Sequence, residues 1–274
     1  MLTNGKVLFA GGEVQNLFQV PSKLYDPSTG TFTATGNMIS DSGGSSQSVF
    51  DFLHPTLLQD GKVLVLSVNA EIYDPASGTF ALTGAYADPN PLWDTATSLQ
   101  DGRVLLTGCV GPSSCGAGAT ELYDPRRITF GFTGPLKEWD DVNTATLLMN
   151  GKVLFVGNAE NDVTPAGAEL YDAATGTFSS IGNTTAPHEY SAAVRLPDGT
   201  VLITGGQLPG GSGSGGTDLY DQATSKFTSA GGMNVGRFQH TATVLPDGTV
   251  LIVGGYATWP AATSSAEIYK PAAP

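Results

Sequence analysis

The chain has 274 residues, enough for one large all-β domain, and no apolar run approaches the ~20 residues that a membrane helix needs. Its 25 acidic residues against 12 basic ones give a formal net charge of −13. That field repels phosphate backbones and anionic bilayers, which argues against nucleic acid or a membrane as partner and favours cations, basic proteins or neutral polar ligands such as sugars.

In chain order, the first recognisable element is NGKVLFAGG, a turn ending at Gly5 followed by a β-rich run. The same element returns as DGKVLVLSV, DGRVLLTGC, NGKVLFVGN, DGTVLITGG and DGTVLIVGG, with turn glycines at Gly61, Gly102, Gly151, Gly199 and Gly248. A second run follows each one: KLYDP, AEIYDP, TELYDP, AELYDA, TDLYDQ and AEIYKP. Seven residues after each of the first five tyrosines (Tyr25, Tyr73, Tyr123, Tyr171, Tyr220) stands a phenylalanine: Phe32, Phe80, Phe130, Phe178 and Phe227. Four residues further on is a glycine: Gly36, Gly84, Gly134, Gly182 and Gly231. A fourth run, clearest in NTATLLMNG and HTATVLPDG, precedes the next turn.

Each unit therefore reads as four short strands: A (TATLL), B (GKVLxxGG), C (AELYD) and D (TFxxTG). Asn-Gly or Asp-Gly between A and B predicts a two-residue hairpin, and Asp-Pro-x-x-Gly between C and D is turn chemistry as well. No stretch has helical spacing. Four antiparallel strands per ~49 residues, repeated radially, is the arithmetic of a β-propeller. We expect one propeller domain over 1–274 with about six blades, at roughly 1–36, 37–84, 85–134, 135–182, 183–231 and 232–274. The first and last blades should be incomplete: residues 1–5 align with the end of a strand A, and only five residues follow Tyr269. A fragment of a longer protein, or a propeller tolerating three-stranded end blades, fits that pattern. Unsealed strand edges would promote self-association.

The pattern DGKVLxxGG…AELYDPxTGTF…HTATLL resembles the kelch repeats of bacterial kelch proteins and of the propeller in galactose-oxidase-like proteins, over nearly the whole chain. The resemblance implies the fold, with the recurring Tyr, Phe and Gly as scaffold, and ligand binding on the face carrying the B–C and D–A loops. Loop lengths point to the same face. The A–B and C–D turns are uniform. The B–C span is about 20 residues except in blade 2, where it shrinks to 12, and the connection into blade 2 (NMISDSGGSSQSVFDFL) is longer than the others.

Repeats of this type often carry R-x-x-H before strand A, and only Arg237 and His240 keep it here. The Arg position is otherwise Phe50, Pro91, Asp140 and His188, and the His position Leu53, Asp94, Asn143 and Ser191. The candidate ligand-binding set is Asp51, Trp93, Asp94, Trp139, Asp140, Asp141, His188, Glu189, Tyr190, Arg237 and His240. Acids beside aromatic faces suit sugar hydroxyls and pyranose rings, or a cationic peptide. A site over blades 2 to 4 is expected, with Trp93 as a stacking surface. The function expected is non-catalytic recognition of a glycan or a protein. The alternative is a carbohydrate-active enzyme (an oxidase relative, lyase or mutarotase) using the acids of the same face.

No cofactor is expected. A galactose-oxidase-like copper site would need converging Tyr and His ligands and a His from a further domain, whereas the chain has three histidines, His54, His188 and His240. Asp140 and Asp141, or NAEND at 158–162, could hold Ca²⁺, though neither matches an established ligand spacing. GSGSGG (211–216) resembles a phosphate loop in composition only, with no helix after it. Cys109 and Cys115 share one loop and form either a small disulfide or two thiols. Few Lys and many Gly, Ser and Thr suggest an exported protein, extracellular or periplasmic, and so favour the disulfide. The N-terminal sequence carries no signal-type segment.

Overall fold

The computed structural model describes residues 1–10, 22–39, 54–67, 69–88, 91–110, 119–137, 142–157 and 165–271. Among them there is no helix, only antiparallel sheet. Two compact units result, one ending at Thr133 and the other beginning at Gly134.

The first unit holds three sheets. Blade 1 is β1 (Val7–Phe9), β2 (Lys23–Asp26) and β3 (Thr31–Ala34). Blade 2 is β4 (His54–Leu57), β5 (Val63–Leu66), β6 (Ala70–Asp74) and β7 (Thr79–Leu82). Blade 3 is β8 (Pro91–Ser98), β9 (Val104–Val110), β10 (Ala119–Asp124) and β11 (Thr129–Phe132).

In the second unit, blade 4 is β12 (Val142–Leu147), β13 (Val153–Gly157), β14 (Gly167–Asp172) and β15 (Thr177–Asn183). Blade 5 begins with β16 (Ala192–Arg195) and β17 (Val201–Thr204). The hairpin β18 (Gln207–Leu208) and β19 (Ser212–Gly213) follows, and the blade resumes with β20 (Gly216–Asp221) and β21 (Lys226–Gly232). Blade 6 is β22 (Thr241–Val244) and β23 (Val250–Val253), a second small hairpin of β24 (Tyr256–Thr258) and β25 (Ala261–Ala262), and β26 (Ala266–Tyr269). Blades 1 and 6 are three-stranded and the other four have four strands, as the repeat register implies.

The repeated residues act in one register. Tyr73, Tyr123, Tyr171 and Tyr220 each face their phenylalanine across strands C and D, with ring centroids 4.7 to 5.0 Å apart. All four tyrosines are buried. Two of them reach a partner in the preceding blade: Tyr73 Oη hydrogen-bonds Thr35 Oγ1, and Tyr123 Oη Thr83 Oγ1, each at 2.8 Å. The core lies between adjacent sheets, as in the cluster of Leu58, Leu64, Leu66, Leu106 and Tyr123.

In blades 1 to 3 the glycine after strand D is needed for close approach. A Cβ on Gly36 would lie 2.4 Å from the Gly78 carbonyl oxygen, the acceptor of the Gly36 N–H. The A–B turns differ from the two-residue hairpin expected. Leu58 N–H donates to Lys62 O, so the loop has three residues, and in it only Gly61 takes positive φ. Asp60 instead accepts the Lys62 N–H and closes the turn through its side chain.

Sequence patterning missed a carboxylate two residues before each tyrosine from blade 2 onward: Glu71, Glu121, Glu169 and Asp218, all buried, and the partly buried Glu267. These acids alternate with apolar neighbours and look solvent-facing in the sequence. Each instead accepts backbone N–H groups from the segment leading out of the previous blade. Glu71 takes Ile39 N–H, Glu121 takes Ala87 and Asp88, Glu169 takes Lys137, and Asp218 takes Thr185. Glu267 takes Asn234 and Val235. A buried carboxylate is tolerable only with such donors, so each acid fixes the incoming segment to its own blade.

Candidate functional site

The segments leading into strands A of blades 5 and 6 run in parallel roles. His188 and Arg237 hold equivalent positions, and both side chains turn inward to full burial. His188 Nδ1 lies 2.7 Å from Gly205 O and Nε2 lies 3.0 Å from Asp218 Oδ2. Arg237 donates from Nη1 to Gly254 O and Ser265 O, each at 3.0 Å, and from Nη2 to Glu267 Oε1 at 2.8 Å. Each cation-type side chain thus joins the end of strand B to the strand-C carboxylate. Burial works to raise the Asp218 carboxyl, but hydrogen bonds from His188 and Thr185 outweigh it and hold that group below the usual carboxylate range. Glu267 is lowered in the same way against its burial, by Asn234, Val235 and Arg237. Both residues were expected at a ligand; their hydrogen-bonding capacity is instead spent inside the scaffold.

His240 is also internal, 7% exposed, with Nε2 hydrogen-bonded to Thr204 Oγ1 at 2.9 Å. Burial, reinforced by the charge of Arg237, pushes its pKa down to about 4, so the ring is neutral. Paired glycines at the end of strand B make room for this packing. A Cβ on Gly205 would lie 2.3 Å from Arg237 O, and one on Gly255 2.4 Å from Phe238 O.

The residues between these anchors face outward. Tyr190 and Gln239 hold equivalent positions, both exposed and both at positive φ, 52° and 51°. The Gln239 N–H donates to Tyr190 O at 2.8 Å. Left-handed backbone at two non-glycine residues is unusual and tends to mark sites where orientation matters. Glu189, 8% exposed, joins this segment to the loop beyond through its carbonyl, which accepts the Gln207 N–H.

The B–C loops of blades 5 and 6 meet in a small sheet of their own, in the order β18-β19-β24-β25. At its hairpin tip Trp259 is 60% exposed. Its ring centroid is 4.8 Å from that of Tyr256, which packs at 5.6 Å on buried Phe238, the neighbour of Gln239. Trp259 N–H donates to Gly211 O, which ties the tip to the GSGSGG stretch. The glycines there admit close backbone packing: a Cβ on Gly213 would meet Arg237 N at 2.4 Å. Sequence reading missed this platform because it followed loop-length anomalies, and the blade 6 loop has ordinary length. The signal available was compositional: YATWPAA places two aromatics in a loop on the variable face.

The expected centre over blades 2 to 4 fares differently. Trp93 lies within strand β8 and is 3% exposed, packed with Leu58, Leu106 and Tyr123 and 5.6 Å from the Tyr86 ring. Its indole is core and offers no face to a ligand. Asp94 sits at a register shift between Trp93 and Thr95, half-buried in the same strand. Alignment on the turn glycines places both on the connection into blade 3, ahead of strand A, whereas strand β8 begins at Pro91 and includes them. Asp51, Trp139, Asp140, Asp141, the NAEND stretch and the Cys109–Cys115 pairing lie outside the described residues.

No protein-family model and no curated protein matches the chain. Solved structures do. A fungal alcohol oxidase of the AA5 family, described as catalytically diverse and in complex with copper, superposes with TM-score 0.77 at 15% identity. The match covers 98% of this chain and 61% of the oxidase, so the chain spans about three fifths of that protein. The structure of YjhT superposes with TM-score 0.64 at 12% identity, covering 97% of this chain and 92% of the other. At these identities the likeness gives the fold, a galactose-oxidase-like β-propeller. Copper is the metal this likeness raises, and the described residues do not fit it. No group of three His, Cys, Asp or Glu side chains converges among them. His188 spends both ring nitrogens on Gly205 and Asp218, and the Nε2 atoms of His54 and His240 are engaged by Trp93 O and Thr204.

Proposed function

We propose that this propeller is a non-catalytic recognition module that binds a neutral, hydroxyl-rich ligand, a glycan, on the B–C/D–A face of blades 5 and 6. The observation that carries the reading is Trp259, an exposed indole stacked on Tyr256 and held on an ordered hairpin. Such a ring offers a flat apolar face to a pyranose, while the exposed Gln239 and the half-buried Gln207 supply amides for its hydroxyls. The titratable groups beneath are committed to internal partners, which leaves shape and stacking as the means of recognition. The likeness to an alcohol oxidase agrees with a ligand rich in hydroxyls.

The test is calorimetry against a panel of neutral oligosaccharides (gluco-, galacto-, manno- and xylo-configured). At least one should bind, and Trp259→Ala should weaken it tenfold or more with no change in melting temperature. Retention of wild-type affinity by Trp259→Ala would overturn the site. Selective binding of basic peptides in place of sugars would overturn the ligand class.

A further inference from the structure

The A–B turns share one hydrogen-bond scheme. In each, the turn glycine donates its N–H to the carbonyl of the leucine three residues earlier, as Gly5 does to Leu2 at 3.0 Å and Gly151 to Leu148 at 3.1 Å. The residue before the glycine accepts, through its side chain, the N–H two residues on. Asp60, Asp101, Asp198 and Asp247 fill that role at 2.9 to 3.1 Å. In blades 1 and 4 it falls to Asn4 and Asn150, which accept from Lys6 at 3.1 Å and Lys152 at 3.0 Å. Both asparagines are exposed, and each occupies a place that the other blades give to a carboxylate.

An asparagine before glycine is chemically labile, because no Cβ on the glycine hinders attack by its nitrogen. The nitrogen–Cγ bond forms as Cγ–Nδ2 breaks, ammonia leaves with the proton of the glycine N–H, and a five-membered imide remains. Water then opens the ring to aspartate or to isoaspartate, whose main chain runs through Cβ and Cγ. The folded turn opposes the first step. Neither Met149 nor Asn150 has positive φ, and Leu148 O accepts the Gly151 N–H, which makes a type I turn with ψ of about 0° at Asn150. Ring closure needs Cβ and the glycine nitrogen eclipsed about the Cα–C bond, a rotation of roughly 120° from that value. Such a rotation breaks the Gly151–Leu148 bond and pulls Asn150 Oδ1 off the Lys152 N–H. The Lys152 N–H polarises Cγ and alone would favour attack, but the nucleophile is turned away, so geometry decides. Thr3, Asn4 and Gly5 repeat this arrangement on Leu2.

We infer that Asn4 and Asn150 are latent deamidation sites, closed in the folded turn and opened when blade 1 or blade 4 unfolds. Of the two products, aspartate restores the residue that four turns already use. Blade 2 shows the outcome: Asp60 stands beside Lys62 and Asp74 there, as the product would stand beside Lys152 and Asp172 in blade 4. Isoaspartate instead adds a main-chain atom to a three-residue loop and shifts the strands that it joins.

The test is peptide mapping by mass spectrometry after the full chain is aged at mildly alkaline pH, folded and in guanidinium chloride at the same pH. Asn4 and Asn150 should deamidate tenfold or more slowly in the folded chain. Asp60→Asn, which creates a third Asn-Gly pair in the same kind of turn, should be protected to the same degree. Deamidation of the folded chain at the unfolded rate would overturn the proposal. So would protection that Asp60→Asn does not share, which would assign it to those two blades instead of to the turn. Asn150→Asp should melt with the wild type, and a clear fall in its melting temperature would show that the turn rejects the product.

Discussion

Blade 3 and blade 6 use the same staple with different chemistry. Glu121 is held by two backbone N–H groups, and its burial outweighs them, so its carboxyl is pushed above the ordinary range. Glu267 receives equivalent N–H groups and, in addition, the Arg237 guanidinium, and its carboxyl is lowered. Asp218 in blade 5 behaves like Glu267, with His188 as the added partner. The difference teaches what the R-x-x-H position does. A hydrogen-bonding side chain placed there gives the strand-C acid a further partner and fixes the approach to strand A, beside which Tyr190 and Gln239 face outward.

Removing Arg237 should have the largest effect. Arg237→Met leaves the partly buried Glu267 charge with only its neutral N–H donors, and denaturant titration should report a loss of about 3 kcal/mol. Glu121→Gln in blade 3 should cost about 1 kcal/mol, since its carboxyl already gains little from ionising. Equal losses at the two sites would end the comparison.

His240 sharpens it through pH. Its folded pKa of about 4 lies below the ordinary 6.5, so the folded state favours the neutral ring. Its stability contribution is full above pH 6.5 and lost as pH falls toward 4, up to about 3 kcal/mol. Asp218 and Glu267, both lowered, add acid sensitivity below the ordinary carboxylate range, whereas Glu121, raised, has the opposite sign. In His240→Asn the decline between pH 6.5 and 4 should flatten, as followed by thermal melts across that range.

Two smaller effects separate packing from polar contacts. Gly36→Ala forces a Cβ against the Gly78 carbonyl and should cost about 2 kcal/mol. Tyr73→Phe removes the bond to Thr35 and should cost about 1 kcal/mol, as the buried ring stays packed on Phe80. Chemical denaturation of both variants should give that order.

What was legible in the sequence follows the length scale of each interaction. Strand order, the three-stranded end blades and the Tyr–Phe pairing depend on residues at fixed offsets within one repeat, and could be counted. The Glu121 and Asp218 staples depend on donors more than thirty residues earlier, and a lone acid between two apolar neighbours gives no sign of them. The small sheet of Gln207–Leu208, Ser212–Gly213, Tyr256–Thr258 and Ala261–Ala262 has strands too short for any periodicity. Trp93 falls between Pro91 and Asp94, which align with the R-x-x-H positions ahead of strand A, but in this blade the strand starts earlier and β8 takes in all three. Tyr190 is exposed at the aligned position, whereas the exposed Trp259 lies in a loop of ordinary length that no anomaly marks.

The central claim separates scaffold from recognition on one face: His188 and Arg237 hold the loops, and Trp259 meets the ligand. The direct measurement is binding and melting in parallel for Trp259→Ala and Arg237→Met, using the best-binding neutral oligosaccharide of the panel. The account predicts that Trp259→Ala loses affinity tenfold or more at unchanged melting temperature, while Arg237→Met lowers the melting temperature clearly. A Trp259→Ala protein that binds like wild type, or an Arg237→Met protein that melts like wild type but no longer binds, would contradict it.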